Sequence, residues 1–370
     1  MKRSNPSPEI KSDRILVYRI GSLGDTIVAL PSMWALKKNY PDAAYYLLSE
    51  KKIGSERVAS RSLFEGSNIF EGYFSYPVYS GFWWRFAQPF RWLRLLWTLR
   101  QGHFDIVAYL APSSRRPAQV VRDRIFFKLA GIRRMLGTQG FAAAGQRTKP
   151  LVMEAREADQ ILGRLALDGL SLPDPGEGVL DLCLGPELEN KVQTWLHTLP
   201  LDNGKKWIGL GPGSNQPATV WPEKRYAEVV ARLIEKWDIW PVVFGGKEDF
   251  PLGERLITAW ARGYNACGIL NVREAAKALQ RCSLYLGNDS GTLHLAASVG
   301  VPCVGIYSAH NSPGKWTPYG EGHLVLRKQI DCEGCGLVEC VERHMECILA
   351  ISPDEVLDGC NKMLKSLIVT

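Results

Sequence analysis

At 370 residues the chain exceeds one ordinary hydrophobic core, so two domains of similar size are expected. With 46% apolar and 22% charged residues it is globular rather than disordered, and no apolar run reaches the roughly 18 residues that span a bilayer. The net charge of +7 is unevenly placed: from Tyr76 to Pro150 thirteen Lys or Arg face only Asp105 and Asp123, so the remainder is slightly acidic. A basic face of this kind suits an anionic partner, namely a phosphorylated lipid, a membrane surface or a nucleic acid, with ordinary solvated surface as the plain alternative.

The first thirteen residues are polar, carry two Pro and lack the apolar core of a signal peptide, so they read as a disordered tail. Nine scattered Cys suit a reducing compartment, and the protein is expected to be cytoplasmic. Arg14 to Ile20 is a buried strand, followed by Gly21-Ser22-Leu23-Gly24-Asp25 and a helix from Thr26 to about Asn39. Ala44 to Leu48 is the next strand. This is a strand–helix–strand unit with a Gly-rich turn, but G-x-x-G-D is not the G-x-G-x-x-G dinucleotide pattern. Asp25 opens the helix, where its plain role is a cap.

Tyr76 to Gln101 mixes aromatic and basic residues: Tyr79, Phe82, Trp83, Trp84, Phe86, Phe90, Trp92 and Trp97 with Arg85, Arg91, Arg94 and Arg100. After Gln88, Pro89 fits a first helical turn, and Phe90, Leu93 and Trp97 form one apolar stripe. An interfacial, membrane-leaning helix and ordinary surface packing both fit. Asp105 to Leu110 is a strand and Asp123 to Gly131 a basic helix. Glu157 to Leu170 is a helix, and Pro186 to Leu199 a helix crossing between domains.

The second half opens on the strand Trp207 to Leu210 and a loop of small residues, Gly211-Pro212-Gly213-Ser214-Asn215, that could face a phosphate. Trp221-Pro222 starts a helix, and Pro241 to Phe244 is a strand ending in Gly245-Gly246. Arg273 to Gln280 is a helix. Ser283 to Leu286 is then a buried strand, broken by Asn288-Asp289-Ser290-Gly291, with a helix from Thr292 and a strand over Cys303 to Tyr307. The start of that helix offers unpaired N–H groups and positive dipole character, suited to a diphosphate, although Asp289 or Ser290 could simply cap it. Both halves place Gly-rich loops at strand carboxyl ends, where ligands of open parallel sheets bind. Cys332, Cys335, Cys340 and Cys347, with His344, could form a zinc knuckle, but the spacing fits no standard finger. Ser352 caps a last helix, with Pro353 at its first position.

Three motifs carry a resemblance. Arg19 to Asp25, then Pro212-Gly213-Ser214 followed by Trp221-Pro222, and Gly287 to His294 occur in this order over Arg14 to about Leu357. Together they resemble glycosyltransferase family 9, the bacterial ADP-heptose:lipopolysaccharide heptosyltransferases. The resemblance implies a GT-B fold of two Rossmann-like α/β domains: an acceptor domain over 14–185 and a nucleotide-sugar domain over 186–351. A helix over 352–370 could pack back on the first domain. It further implies inverting transfer with no metal or other cofactor. Asp25 would be the base, with Arg19, Gly21 and Gly24 forming the acceptor-side loop. Ser214, Asp289, Ser290, Gly291 and His294 would contact the donor, as would Glu248 after the Gly-Gly strand end. The Cys-rich tail also recurs in relatives, which counts against a metal.

The family pattern carries a Lys two residues before Trp-Pro, where it can neutralise the donor diphosphate, and here that position is Thr219. Lys224, Arg225 or a basic side chain of the first domain would have to replace it. The implied partners are ADP-heptose and an anionic, lipid-linked saccharide, with peripheral contact at the inner-membrane face. Three readings stand: a lipid-linked-saccharide glycosyltransferase, a catalytically altered nucleotide-sugar binder or user of another nucleotide sugar, and a nucleic-acid binder without any recognisable motif.

Overall fold

The computed structural model describes residues 13–52, 60–78, 88–141 and 149–369. Most of the expected N-terminal tail, the residues Tyr79, Phe82, Trp83, Trp84, Arg85 and Phe86, and Arg147 lie outside the described residues. The first domain runs β1 (Arg14–Tyr18), α1 (Leu23–Ile27), α2 (Leu30–Asn39), β2 (Ala44–Lys52), α3 (Ser60–Phe64), β3 (Gly72–Val78), α4 (Gln88–Gln101), β4 (Ile106–Tyr109), α5 (Pro117–Leu129) and β5 (Arg134–Leu136). Helices α6 (Glu157–Ala166) and α7 (Pro186–Leu196) lead to the second domain. There follow β6 (Trp207–Gly211), α8 (Glu223–Trp237), β7 (Trp240–Val243), α9 (Phe250–Trp260), β8 (Tyr264–Asn265), α10 (Val272–Leu279), β9 (Cys282–Asn288), α11 (Gly291–Ser298), β10 (Cys303–Tyr307), β11 (Leu324–Arg327), α12 (Glu346–Leu349) and α13 (Pro353–Val369).

The two sheets run β3-β2-β1-β4-β5 and β11-β10-β9-β6-β7-β8, and their pairs are parallel. Central strands such as β1 and β6 are continuous apolar runs because helices cover both faces of the sheet. In the first sheet Ile15 and Val17 face a core shared with α2, while Leu16 and Tyr18 face α4 and α5. The single helix expected over Thr26 to Asn39 is instead two. The chain turns at Val28–Ala29, and Pro31, which lacks an N–H, sits in the first turn of α2 where no donor is needed. Strands β3, β5, β8 and β11 escape the sequence reading: they are the four edge strands of the two sheets, and such strands are short or only partly covered.

Helix α13 packs against α8 and strands β9 and β10 rather than against the first domain. Its inward side chains Val356, Leu357, Cys360 and Leu364 complete the second domain's outer core, and Asn361 accepts from Trp237 Nε1 at 2.8 Å. The domains are fastened by Arg273 of α10. Its guanidinium donates to the carbonyls of Leu63, Leu182 and Cys183 at 2.9, 3.0 and 2.7 Å. Among the described residues no helix is long and apolar enough to cross a membrane.

Candidate active site

The strand order of the first sheet reverses between β1 and β4, and that of the second between β6 and β9. Loops leaving strands at such switch points form the ligand crevice of open parallel sheets. Here the loop after β1 (Gly21 to Asp25) faces those after β6, β7 and β9 across a cleft of about 840 Å3. Gly21, Gly24, Asp25, Ser214, Glu248, Asp289, Ser290, Gly291 and His294 all line it, so residues from three distant motifs share one cavity.

Asp25 is the third residue of α1. Its Oδ2 accepts from the Ser22 backbone N–H at 2.7 Å and from Ser22 Oγ at 2.8 Å, closing a capping box. The cap and the cleft-facing carboxylate are therefore one group, with its side chain still 21% exposed. Gly21 holds φ +120°, which places the loop over that side chain. Arg19 does not line the cleft. It is fully buried beneath it, with Nη2 3.5 Å from Asp25 Oδ1 and Nη1 donating to the Leu110 carbonyl. Burial lowers its pKa, against the pull of Asp25 and Glu157.

Opposite, Asp289 directly follows β9 and is half-buried. Burial, helped by the negative charge of Asp25, pushes its carboxyl up to about 7. His294, on α11, is buried and driven down to about 4, so its ring is neutral at physiological pH. Asp25 acts on both groups, which puts all three in one electrostatic neighbourhood. Ser290 holds the N-cap position of α11, yet its hydroxyl bonds Thr292 Oγ1 at 3.0 Å and takes no helix N–H. The N–H groups of Gly291, Thr292 and Leu293 find no acceptor among the described residues, leaving a helix start open towards the cavity.

Thr219 is buried below the loop after β6, where its Oγ1 lies 2.7 Å from Ser214 Oγ and 2.9 Å from the Gln216 carbonyl. It braces that loop rather than entering the cleft. Neither expected cationic replacement reaches the cavity: Lys224 is exposed outside it, and Arg225 donates to the Leu349 and Ile351 carbonyls at 2.7 and 2.8 Å. The Lys or Arg that does line the cleft among the described residues is Lys247, next to Gly245-Gly246. On the same turn Glu248 is exposed. Asp249 is drawn in and accepts from the Gly246 N–H at 2.9 Å, and burial raises its pKa.

The sequence reading also passed over Asn271, His310, Asn311 and Trp316, and took Glu50 only as an acid at the end of the second strand; all five line the same space. His310 is buried between Ser308 Oγ (2.7 Å) and Asn311 Nδ2 (2.8 Å), and burial lowers it to about 4. A wall of Ala266, Leu270, Val272 and Ala275 gives the cleft an apolar end. The Cys-rich loop forms its rim: Gly336 N–H donates to the His310 carbonyl at 2.9 Å, and the Val338 carbonyl accepts from Ala218 at 3.0 Å. Its four cysteines are free, and among the described residues no three His, Cys, Asp or Glu are arranged to hold a metal.

Two parallel-sheet domains, with ligand loops from both facing one cleft, define the GT-B fold. Residues 182–346 match glycosyltransferase family 9 (heptosyltransferase). The chain is 28% identical over 290 residues to lipopolysaccharide heptosyltransferase 2 of Escherichia coli K12, covering 72% of this chain and 77% of the relative. Two solved structures share the fold. E. coli ADP-heptose LPS heptosyltransferase II aligns with TM-score 0.68 and 20% identity over 95% of this chain and 99% of its own. A family 9 glycosyl transferase from Veillonella parvula aligns with TM-score 0.74 and 20% identity over 98% of this chain and 100% of its own. The second half of the chain thus matches the family 9 heptosyltransferase model, and most of its length is similar to a lipopolysaccharide heptosyltransferase 2.

Proposed function

We propose that the protein transfers heptose from ADP-heptose, with inversion and without a metal ion, to a lipopolysaccharide-core or related lipid-linked saccharide. The observation that carries this reading is the placement of Asp25 on the first domain opposite Asp289, Ser290, Gly291 and His294 on the second, in one cleft. The acceptor hydroxyl attacks the anomeric carbon from the first-domain side, and Asp25 takes its proton as the bond forms. Negative charge then gathers on the departing ADP. The open N–H groups of α11, the Ser214 and Ser290 hydroxyls and Lys247 are the donors available to it, and fixed donors of this kind are typically worth several kcal/mol. The wall of Ala266, Leu270, Val272 and Ala275 suits an adenine face.

A protonated Asp289 would tolerate the diphosphate and donate to a sugar or phosphate oxygen. Neutral His294 fits as a polar contact rather than a charge. An anionic lipid-linked acceptor also fits the basic first domain, and the enzyme would work at the cytoplasmic face of the inner membrane, with α4 as its contact.

Thr219 supports a second reading, that of a family member using another nucleotide sugar or binding one without turnover. Incubation with ADP-heptose and a deacylated core saccharide, followed by chromatography of released ADP, tests the first reading. Parallel thermal-shift titrations with ADP-, UDP-, GDP- and CMP-sugars separate the second. Stabilisation by a different nucleotide sugar, or by ADP-heptose without ADP release, would replace the first reading.

A further inference from the structure

Helices α4 and α5 lie side by side on the outer face of the first sheet. Trp92 meets Phe126 edge to face at 5.1 Å, and Arg100 donates to the Leu129 carbonyl at 3.3 Å. Each buries one apolar stripe, Leu95 and Leu99 on α4, Val120 and Phe127 on α5. Each also turns a second apolar stripe outward. Phe90, Leu93 and Trp97 are 76, 62 and 63% exposed, and Val121, Ile125 and Leu129 are 54, 55 and 59% exposed. A surface helix has no use for a second apolar face in water, and paired outward stripes mark an interaction surface. The two helices carry six Lys or Arg against a single acid, Asp123. That acid is itself held by Arg115 and Arg122, at 2.5 and 2.7 Å.

Between the helices and the sheet is a pocket of about 310 Å3, a size at the lower end of ligand pockets, roughly 300 Å3. Its walls are Tyr18, Leu48, Leu95 and the aromatic rings of α4 and α5, joined by Asp123 and the Arg122 guanidinium that pairs with it. With the one acid neutralised by Arg115 and Arg122, the remaining walls are mainly aromatic and aliphatic, which suits an apolar occupant. Leu48 is two residues before Glu50, which lines the catalytic cleft, so pocket and cleft share the carboxyl end of β2.

We propose that this pocket takes one acyl chain of an anionic lipid from the bilayer on which the α4–α5 face docks. The proposal rests on the membrane-facing reading above. The chain enters beside Arg122, whose guanidinium meets the headgroup phosphate, while the outward stripes sit among neighbouring acyl chains. The test uses the whole protein with two probes, dodecyl phosphate in solution and phosphatidylglycerol vesicles. Leu95→Trp fills the pocket, and the exposed Arg122→Gln guards against a misfolded core variant. The parent should bind both probes, and each variant should weaken dodecyl phosphate tenfold or more, with ADP affinity on the same samples held at the parent's value. A glycosyltransferase reading that failed would show as absent turnover, with lipid binding intact. Dodecyl phosphate binding that is absent from the parent, or unchanged in both variants, would overturn the pocket. So would a parent that ignores the vesicles and instead forms a dimer dispersed by Trp97→Ser, since the face would then join two copies.

Discussion

Gly24 and His294 meet across the domain boundary: a Cβ on Gly24 would stand 3.0 Å from His294 Cδ2. This contact seats the start of α1 on the start of α11, so the spacing of the two sides of the cleft depends on the absence of one methyl group. Gly24→Ala would force the ring or the helix to shift. Misplacement by about 1 Å can cost about a hundredfold in rate, and the smaller shift that this contact demands should lower kcat by roughly severalfold with the fold retained. Steady-state ADP release against circular dichroism checks this, and an unaltered kcat would mean the seam is soft.

Asp25→Asn should abolish transfer, by about 100-fold or more, while ADP affinity stays near the parent value. The amide oxygen can still accept from Ser22, so the capping contribution, typically about 1 kcal/mol, is mostly kept. Loss of folding in place of turnover would reduce Asp25 to its structural role.

The nucleotide's affinity should depend on pH through Asp289. Its folded pKa is raised to about 7, so the carboxyl is protonated below neutrality and ionised above it. An anionic ligand prefers the protonated form, and affinity therefore falls as pH rises through 7. Calorimetric ADP titrations from pH 6 to 8 should show this decline in the parent beyond that expected from ADP itself. Asp289→Asn should remove the excess, and identical slopes in the two proteins would refute the assignment.

His294 works in the opposite direction on stability. Its pKa is lowered to about 4 in the fold from an ordinary 6.5, so the unfolded chain takes up the proton first. Stability is thereby lost as pH falls from 6.5 towards 4, by up to about 3 kcal/mol. His294→Gln should flatten that part of the acid denaturation curve, measured by urea titration at pH 7, 5.5 and 4.5.

Lys247→Ala should weaken ADP about tenfold or more, as expected for loss of a hydrogen bond to a charged group worth about 1.5–3 kcal/mol. Adenosine, which lacks the phosphates, should bind as before. Comparable losses for both ligands would place Lys247 away from the diphosphate.

The readable parts of this molecule are those where backbone chemistry is local. The runs Ile15–Tyr18 and Cys303–Tyr307 could only be buried strands, and the small residues around Gly21, Gly213 and Asp289 mark strand ends whatever the surroundings. What escaped depends on how loops fold over one another. Glu248 and Asp249 are adjacent in sequence, and only the tight turn after Gly246 decides which one is drawn inward. Thr219 reads as a missing cation until its burial beneath Ser214 is seen, and Lys247 supplies a charge from a loop further along the chain. The stripe of Phe90, Leu93 and Trp97 was legible as a pattern, but a pattern cannot say that Leu95 and Leu99 face inward and leave that stripe to the outside.

The largest apolar cluster passes without interruption from Ile15 and Leu47 of the first sheet, through Trp195, to Trp207, Tyr285 and Tyr307 of the second. Two cores that share side chains cannot melt independently, because either half alone would present its partner's contact surface to water. The chain should therefore unfold in a single transition, and separate expression of residues 1–200 and 201–370 should yield two insoluble fragments. Mixed during synthesis, the fragments could rescue each other by rebuilding the wall they have in common.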